Sequence, residues 1–161
     1  MSSLPADGPG QVDPYAVFRP RRGRRVALVM AALSVLIFTG SALSIPWVDR
    51  ERGGWGVLDR LLLSLCGVAI AALLLRFATI RAVPSPQGLM IRNLIITRRL
   101  EWPQVIRVQF GGGAPWVIVD LEDTDIVAVM AIQKADGAFG RAEASRLSAL
   151  VQVHSQTPPS A

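Results

Sequence analysis

The chain has 161 residues, 51% of them hydrophobic, with a mean hydropathy of +0.40 and a formal charge of +5. Lys134 is the one lysine among seventeen basic residues, and Cys66 and His154 are single. One cysteine and one histidine exclude a disulfide framework and a Cys/His metal cluster, and a basic run placed directly before an apolar one points to membrane topology ahead of nucleic acid.

In chain order, residues 1–25 read as a disordered, basic N-terminal tail. Its first twenty positions are rich in Pro, Gly and Ser and lack periodicity. Whether Tyr15 and Phe18 form a short docking segment is open on the sequence. Arg19, Arg21, Arg22, Arg24 and Arg25 close the tail. Contact of such a run with anionic lipid, at about 1 kcal/mol per residue, is a by-product of its topological role.

Residues 26–45 are twenty uncharged positions. At ~1.5 Å per residue they reach ~30 Å, the thickness of a hydrocarbon core. Ser34, Thr39, Ser41 and Ser44 are expected to bond back to their own helix, Gly40 suits a helix–helix contact, and Pro46 with Trp47 should end the span at the interface. Residues 46–56 form the connecting loop. Residues 57–80 form a second span around the uncharged core 61–75, with Arg60 and Arg76 placed to snorkel from its two ends. A buried helix of a soluble core would need a larger domain around it than this chain offers. A cleavable signal peptide fits the basic start, but its apolar stretch is shorter, and here a second span follows. The loop carries Arg50 and Arg52 interleaved with Asp49 and Glu51. The arginine excess before the first span and at Arg76 and Arg81 therefore puts both termini in the cytoplasm and the loop outside.

Residues 81–153 change period. Val83-Pro84-Ser85-Pro86-Gln87-Gly88 reads as a turn. Residues 89–92 and 94–100 read as short strands about Asn93, and Trp102-Pro103 punctuates. In residues 105–110, Ile106, Val108 and Phe110 should share the inner face. Gly111-Gly112-Gly113 is a turn and lacks the Gly-Lys-Ser/Thr ending of a phosphate loop. Val117, Val119 and Leu121 point inward from the next strand, Glu122-Asp123-Thr124-Asp125 turns the chain, and residues 126–132 make the last strand. Asp136 offers a helix N-cap, and Phe139, Leu147, Leu150 and Val151 form the apolar stripe of the final helix. Residues 154–161 read as a flexible tail.

Short antiparallel strands closed by one C-terminal helix resemble a pleckstrin-homology (PH) domain. The wording is similar to a bacterial PH-like family of actinobacteria, which includes the domain of the mycobacterial low-molecular-weight protein antigen and often stands behind two transmembrane helices. The residues that carry the resemblance are Gly88-Leu89-Met90-Ile91-Arg92-Asn93, Arg99-Leu100-Glu101-Trp102, Val105-Ile106, Pro115-Trp116, Ala128-Val129-Met130-Ala131-Ile132-Gln133 and Asp136-Gly137. It covers residues 79–153. The fold it implies is a membrane protein with a two-helix transmembrane hairpin followed by a small α+β PH-like domain, a bent antiparallel barrel capped by a C-terminal helix. The family brings no catalytic residues and no cofactor. Its eukaryotic counterparts present basic residues on the first two strands, and Arg92, Arg98 and Arg99 fall near that region.

The residues themselves show no catalytic pattern. His154 has no nucleophile at motif spacing. Asp120, Glu122, Asp123 and Asp125 lack the glycine and terminal glutamate of an EF-hand loop, and no carboxylate lies mid-span. The function expected is a non-catalytic, membrane-anchored interaction or scaffold module at the cytoplasmic face of the cell membrane. In it, Arg92, Arg98, Arg99 and Arg107 are candidates for an anionic ligand or the membrane surface. The alternative is an accessory subunit of a larger membrane complex, assembled through small residues such as Gly67 and Ala71. Partners expected are the lipid bilayer and a membrane-proximal protein or lipid headgroup, with homo-oligomers allowed and no nucleic acid.

Overall fold

The computed structural model describes residues 13–48 and 56–155. The segment 1–12, the loop positions 49–55 with their charges, and residues 156–161 lie outside the described residues. Two long helices come first: α1 (Arg21–Val48) and α2 (Val57–Ala78). Both are long and apolar enough to cross a membrane, and only 17% and 11% of their apolar windows are buried inside the protein. A core helix of a soluble protein would be covered far more completely. Helix α1 starts five residues before the expected span and runs past Pro46 to Val48.

The helices pack on each other through small residues. A Cβ at Gly67 would stand 2.5 Å from the Cβ of Phe38 and 3.2 Å from the Ser34 carbonyl oxygen, so only glycine fits the crossing. Ala27, Ala31, Ala42 and Ala71 are buried there too. The Ser34 hydroxyl does not bond back to its own helix. It donates across the contact to the Gly67 carbonyl at 3.1 Å. Ser44 does bond back, to Gly40 at 2.8 Å. Among the described residues, nothing lies within 4 Å of where a side chain at Gly40 would begin. At the start of α2, the Asp59 carboxylate accepts the Gly56 amide at 2.9 Å, which explains an acid in the first turn of an apolar helix.

Six strands follow as two antiparallel meanders, β1 (Arg81–Ser85), β2 (Gly88–Arg92) and β3 (Thr97–Glu101), then β4 (Val105–Gln109), β5 (Trp116–Leu121) and β6 (Ile126–Gln133). The expected barrel is thus two three-stranded sheets, interrupted where Pro103 sits in a 3-10 turn (Trp102–Gln104) between β3 and β4. Side chains bridge the gap: Asn93 Nδ2 donates to the Ala128 carbonyl at 2.7 Å, and Asn93 Oδ1 accepts the Met130 amide at 3.3 Å.

Three strand assignments differ from expectation, the first being residues 94–96, read as the start of a strand, which form the turn before β3. The stretch read as a turn at Pro84 is strand β1, paired Pro84↔Leu89. Ala82 directs its amide and carbonyl to Phe18, away from β2. Pro84, two residues on, faces the same way, so its missing N–H costs the ladder nothing. In β4 the register shifts between Val105 and Arg107. This bulge turns Val105 into the core and leaves Ile106 64% exposed, reversing the expected alternation at that end.

Helix α3 (Ala138–Ser155) closes the core with Ala144, Leu147, Leu150 and Val151. Gly140 is required by close approach, since a Cβ there would collide with the Gln133 carbonyl.

Candidate functional site

The N-terminal segment is structured from Asp13 onward, which corrects its reading as a disordered tail to residue 25. Asp13 opens a turn by accepting the Tyr15 amide at 2.9 Å and the Ala16 amide at 3.0 Å. Residues 13–20 then run as a strap along the open edge of β1, where Phe18 and Ala82 exchange two backbone hydrogen bonds of 2.9 and 3.1 Å. Phe18 is fully buried. Arg146 of α3 ties the strap down. Its Nη1 donates to the Pro14 and Ala16 carbonyls, both at 2.8 Å, and its guanidinium covers the Phe18 ring at 3.8 Å. Glu143 holds the other side of that guanidinium in a two-pronged pair.

A second anchor is aromatic. His154 stacks on Trp102 with ring centroids 4.8 Å apart, and Trp102 Nε1 donates to the Ser85 carbonyl at 2.8 Å. His154 Nδ1 lies 2.8 Å from the Leu150 carbonyl, which can only accept, so Nδ1 carries the proton. In the neutral ring Nε2 is then the acceptor for the Tyr15 hydroxyl, 3.1 Å away. His154 is therefore part of the folded helix end and not of a flexible tail.

The hairpin joins the sheets at both of its domain-side ends. The Asp136 carboxylate accepts the Arg21 and Arg22 amides at 3.0 and 2.8 Å. It is an N-terminal cap, as its residue type suggests, but for α1 and not for α3. Gly137, in a backbone conformation with φ of 62°, turns the chain between Asp136 and α3. Arg22 adds a bond from Nη1 to the Ala135 carbonyl at 3.1 Å. At the end of α2, Arg76 Nε donates to the Leu94 carbonyl at 2.9 Å. Leu94 belongs to the tight β2–β3 turn, closed by the Asn93 amide on the Ile96 carbonyl at 3.0 Å.

The family of this segment is decided by comparison. Residues 79–149 match the family described as the bacterial PH domain. This segment is a bacterial PH domain. Uncharacterized proteins of Mycobacterium tuberculosis and of Mycobacterium bovis are each 38% identical to the chain over 78 residues, covering 48% of it and 51% of each relative. The chain thus spans about half the length of the curated relatives it matches. No solved structure matches it significantly.

On the PH domain, the four arginines singled out from the sequence do not converge. Register places Arg92 and Arg99 on the outer face of the first sheet, opposite buried Leu89, Ile91 and Leu100. Arg98 pairs with Asp125 at 3.0 Å, an exposed pair worth less than about 1 kcal/mol. Arg107 lies on the second sheet across from Asp120. The recess that Arg98 and Arg99 share also contains Glu122 and Asp123, a mixed-sign lining that gives an anion little net attraction. Gly67 and Ala71 do make a helix–helix contact, but within the chain, against α1. Among the described residues no three His, Cys, Asp or Glu side chains cluster as metal ligands would.

What sequence reasoning missed is the junction itself: the strap, the Asp136 cap and the Arg146 clasp. The signal for the strap lies in Tyr15 and Phe18, two aromatic residues in a stretch otherwise poor in large apolar side chains.

Proposed function

We propose that the chain is a membrane-anchored, non-catalytic PH module, held by its helical hairpin against the cytoplasmic leaflet so that the domain engages a membrane-proximal protein or lipid. The observation that carries this reading is the pair of clamps between hairpin and domain, Asp136 on the start of α1 and Leu94 on the end of α2. A flexible linker would let an anchored domain sample many orientations. Two clamps, together with Phe18 and Ile80 buried in the PH core, favour one fixed presentation.

The outward surface of the hairpin supports the anchor. Leu36 and Leu43 on α1 and Leu61, Leu65 and Leu73 on α2 are each more than 60% exposed. Water would oppose so large a continuous apolar surface, and hydrocarbon would cover it. The arginines at the domain-side ends of both helices support a cytoplasmic PH domain. The alternative of an accessory subunit assembled through Gly67 and Ala71 loses support, because α1 already fills that face.

A topology experiment tests the proposal. In a Cys66→Ser background, Ser155→Cys places one thiol at the exposed end of α3. An impermeant maleimide should label it after spheroplasts are opened and not before. Labelling of intact spheroplasts would put the PH domain on the outer side and refute the reading.

A further inference from the structure

Arg21, Arg24, Arg25 and Leu28 follow the i, i+3, i+4, i+7 spacing that puts residues on one face of a helix. With Arg19 from the strap, the three arginines line one open recess of about 430 Å3 at the base of α1. Val17, Leu28 and Phe139 supply its apolar wall, and among the described residues no carboxylate lines it. The Arg21 guanidinium lies over the Phe139 ring at 3.6 Å, which fixes it as part of that wall. Among the described residues, Arg19, Arg24 and Arg25 have no ion-pair partner. Asp136, the buried acid at this end of α1, is already occupied by two backbone amides.

Like charges at these helical spacings repel each other. Four guanidinium groups around one recess are therefore a cost to the folded chain unless an anion sits among them. The recess is of the size of small-ligand sites, roughly 300–1,000 Å3, and planar guanidinium forks match the oxygen pairs of a phosphate. Its lip is Leu28, 42% exposed and followed by Val29 at 58%, where the apolar surface of α1 begins. A ligand seated here would present a phosphate to the arginines and hydrocarbon to the helix.

We propose that this recess binds the phosphate of an anionic phospholipid in the leaflet that α1 enters. The proposal rests on the reading of α1 as a membrane span, and it assigns the lipid contact to the base of the hairpin and not to Arg92, Arg98, Arg99 and Arg107 on the sheets.

The test uses the full chain in nanodiscs of phosphatidylcholine with graded phosphatidylglycerol, reading the lipids retained by native mass spectrometry. The unaltered protein should retain phosphatidylglycerol in preference to phosphatidylcholine. At about fivefold per basic residue, Arg24→Gln with Arg25→Gln should cut that preference about 25-fold. Arg24→Lys with Arg25→Lys keeps charge and topology but loses the paired geometry, and should cut it about fivefold. The charge-matched control Arg99→Gln with Arg107→Gln should change it by less than about twofold. Full retention by the lysine pair, or an equal loss in the control, would reduce the effect to bulk charge and overturn the site. Displacement of the lipid by millimolar inorganic phosphate would overturn the lipid assignment in favour of a free anion. Carbonate-washed membranes are sedimented in parallel. A chain that leaves the membrane refutes the span, whereas one that stays without phosphatidylglycerol preference refutes the recess alone.

Discussion

Asp136 joins two parts of the chain separated by more than a hundred residues, through two hydrogen bonds to the first amides of α1. A carboxylate at a helix start satisfies orphan donors and meets the positive end of the helix dipole. Asp136→Ala should lower stability by about 1–2 kcal/mol, seen as a lower thermal midpoint in detergent. An unchanged midpoint would show that the cap contributes nothing. Trp102 is the larger single contributor, 2% exposed, stacked on His154 and bonded to Ser85. Trp102→Ala should cost about 3–5 kcal/mol and also expose Tyr15 and the strap to protease. The residue type of Asp136 made capping legible in the sequence. Which helix it caps was not, because a side chain reports the chemistry it can do and not the distant backbone it will meet. Arg146 illustrates the same limit: the helical period marks it only as a polar position, and its two carbonyl acceptors lie in a segment with no periodic pattern.

Elements with a clean alternation were the readable ones. Strand β5 buries Val117, Val119 and Leu121 as its period of two requires, and the stripe of α3 buries Leu147, Leu150 and Val151. Strand β1 was hidden by Pro84 and Pro86, which signal a turn unless the strand lies at an edge whose outward amides need no sheet partner. The bulge in β4 was hidden because one inserted residue flips the pattern without changing composition. Helix packing was legible only as a set of small residues. Gly67→Leu should force α2 away from Phe38 and Ser34, and is expected to destabilise the hairpin by about 1–3 kcal/mol or more. Cysteine pairs placed across the helix contact would then crosslink poorly, while undiminished crosslinking would contradict the packing. At the β2–β3 turn, Ile95 and Ile96 are 82% and 62% exposed beside the end of α2. A polarity-sensitive dye on Ile95→Cys, in a Cys66→Ser background, should shift to the blue on reconstitution into bilayers. An emission in bilayers no bluer than that of the same dye on the exposed Ser155→Cys would place the turn away from the membrane.

The whole molecule is an apolar hairpin whose domain-side ends are both built into a small PH domain. The strap and α1 contribute Phe18 and the Asp136 contacts, the end of α2 packs Phe77 against the core, and Ile80 in the link to β1 is buried in it. The domain boundary seen in the sequence near residue 80 is therefore not a boundary in the core, and a fragment beginning there would lack Phe18 and the cap. All of this depends on hydrocarbon covering the outer faces of α1 and α2. Cys66, the single cysteine, reports on that directly, since it is exposed on α2 about 14 Å along the helix from Val57. A water-soluble maleimide added to opened, detergent-free membranes should leave Cys66 unmodified, and should modify it fully once sodium dodecyl sulfate strips the lipid. Rapid labelling before detergent would mean that water, not lipid, surrounds the helix, and the anchor would be contradicted.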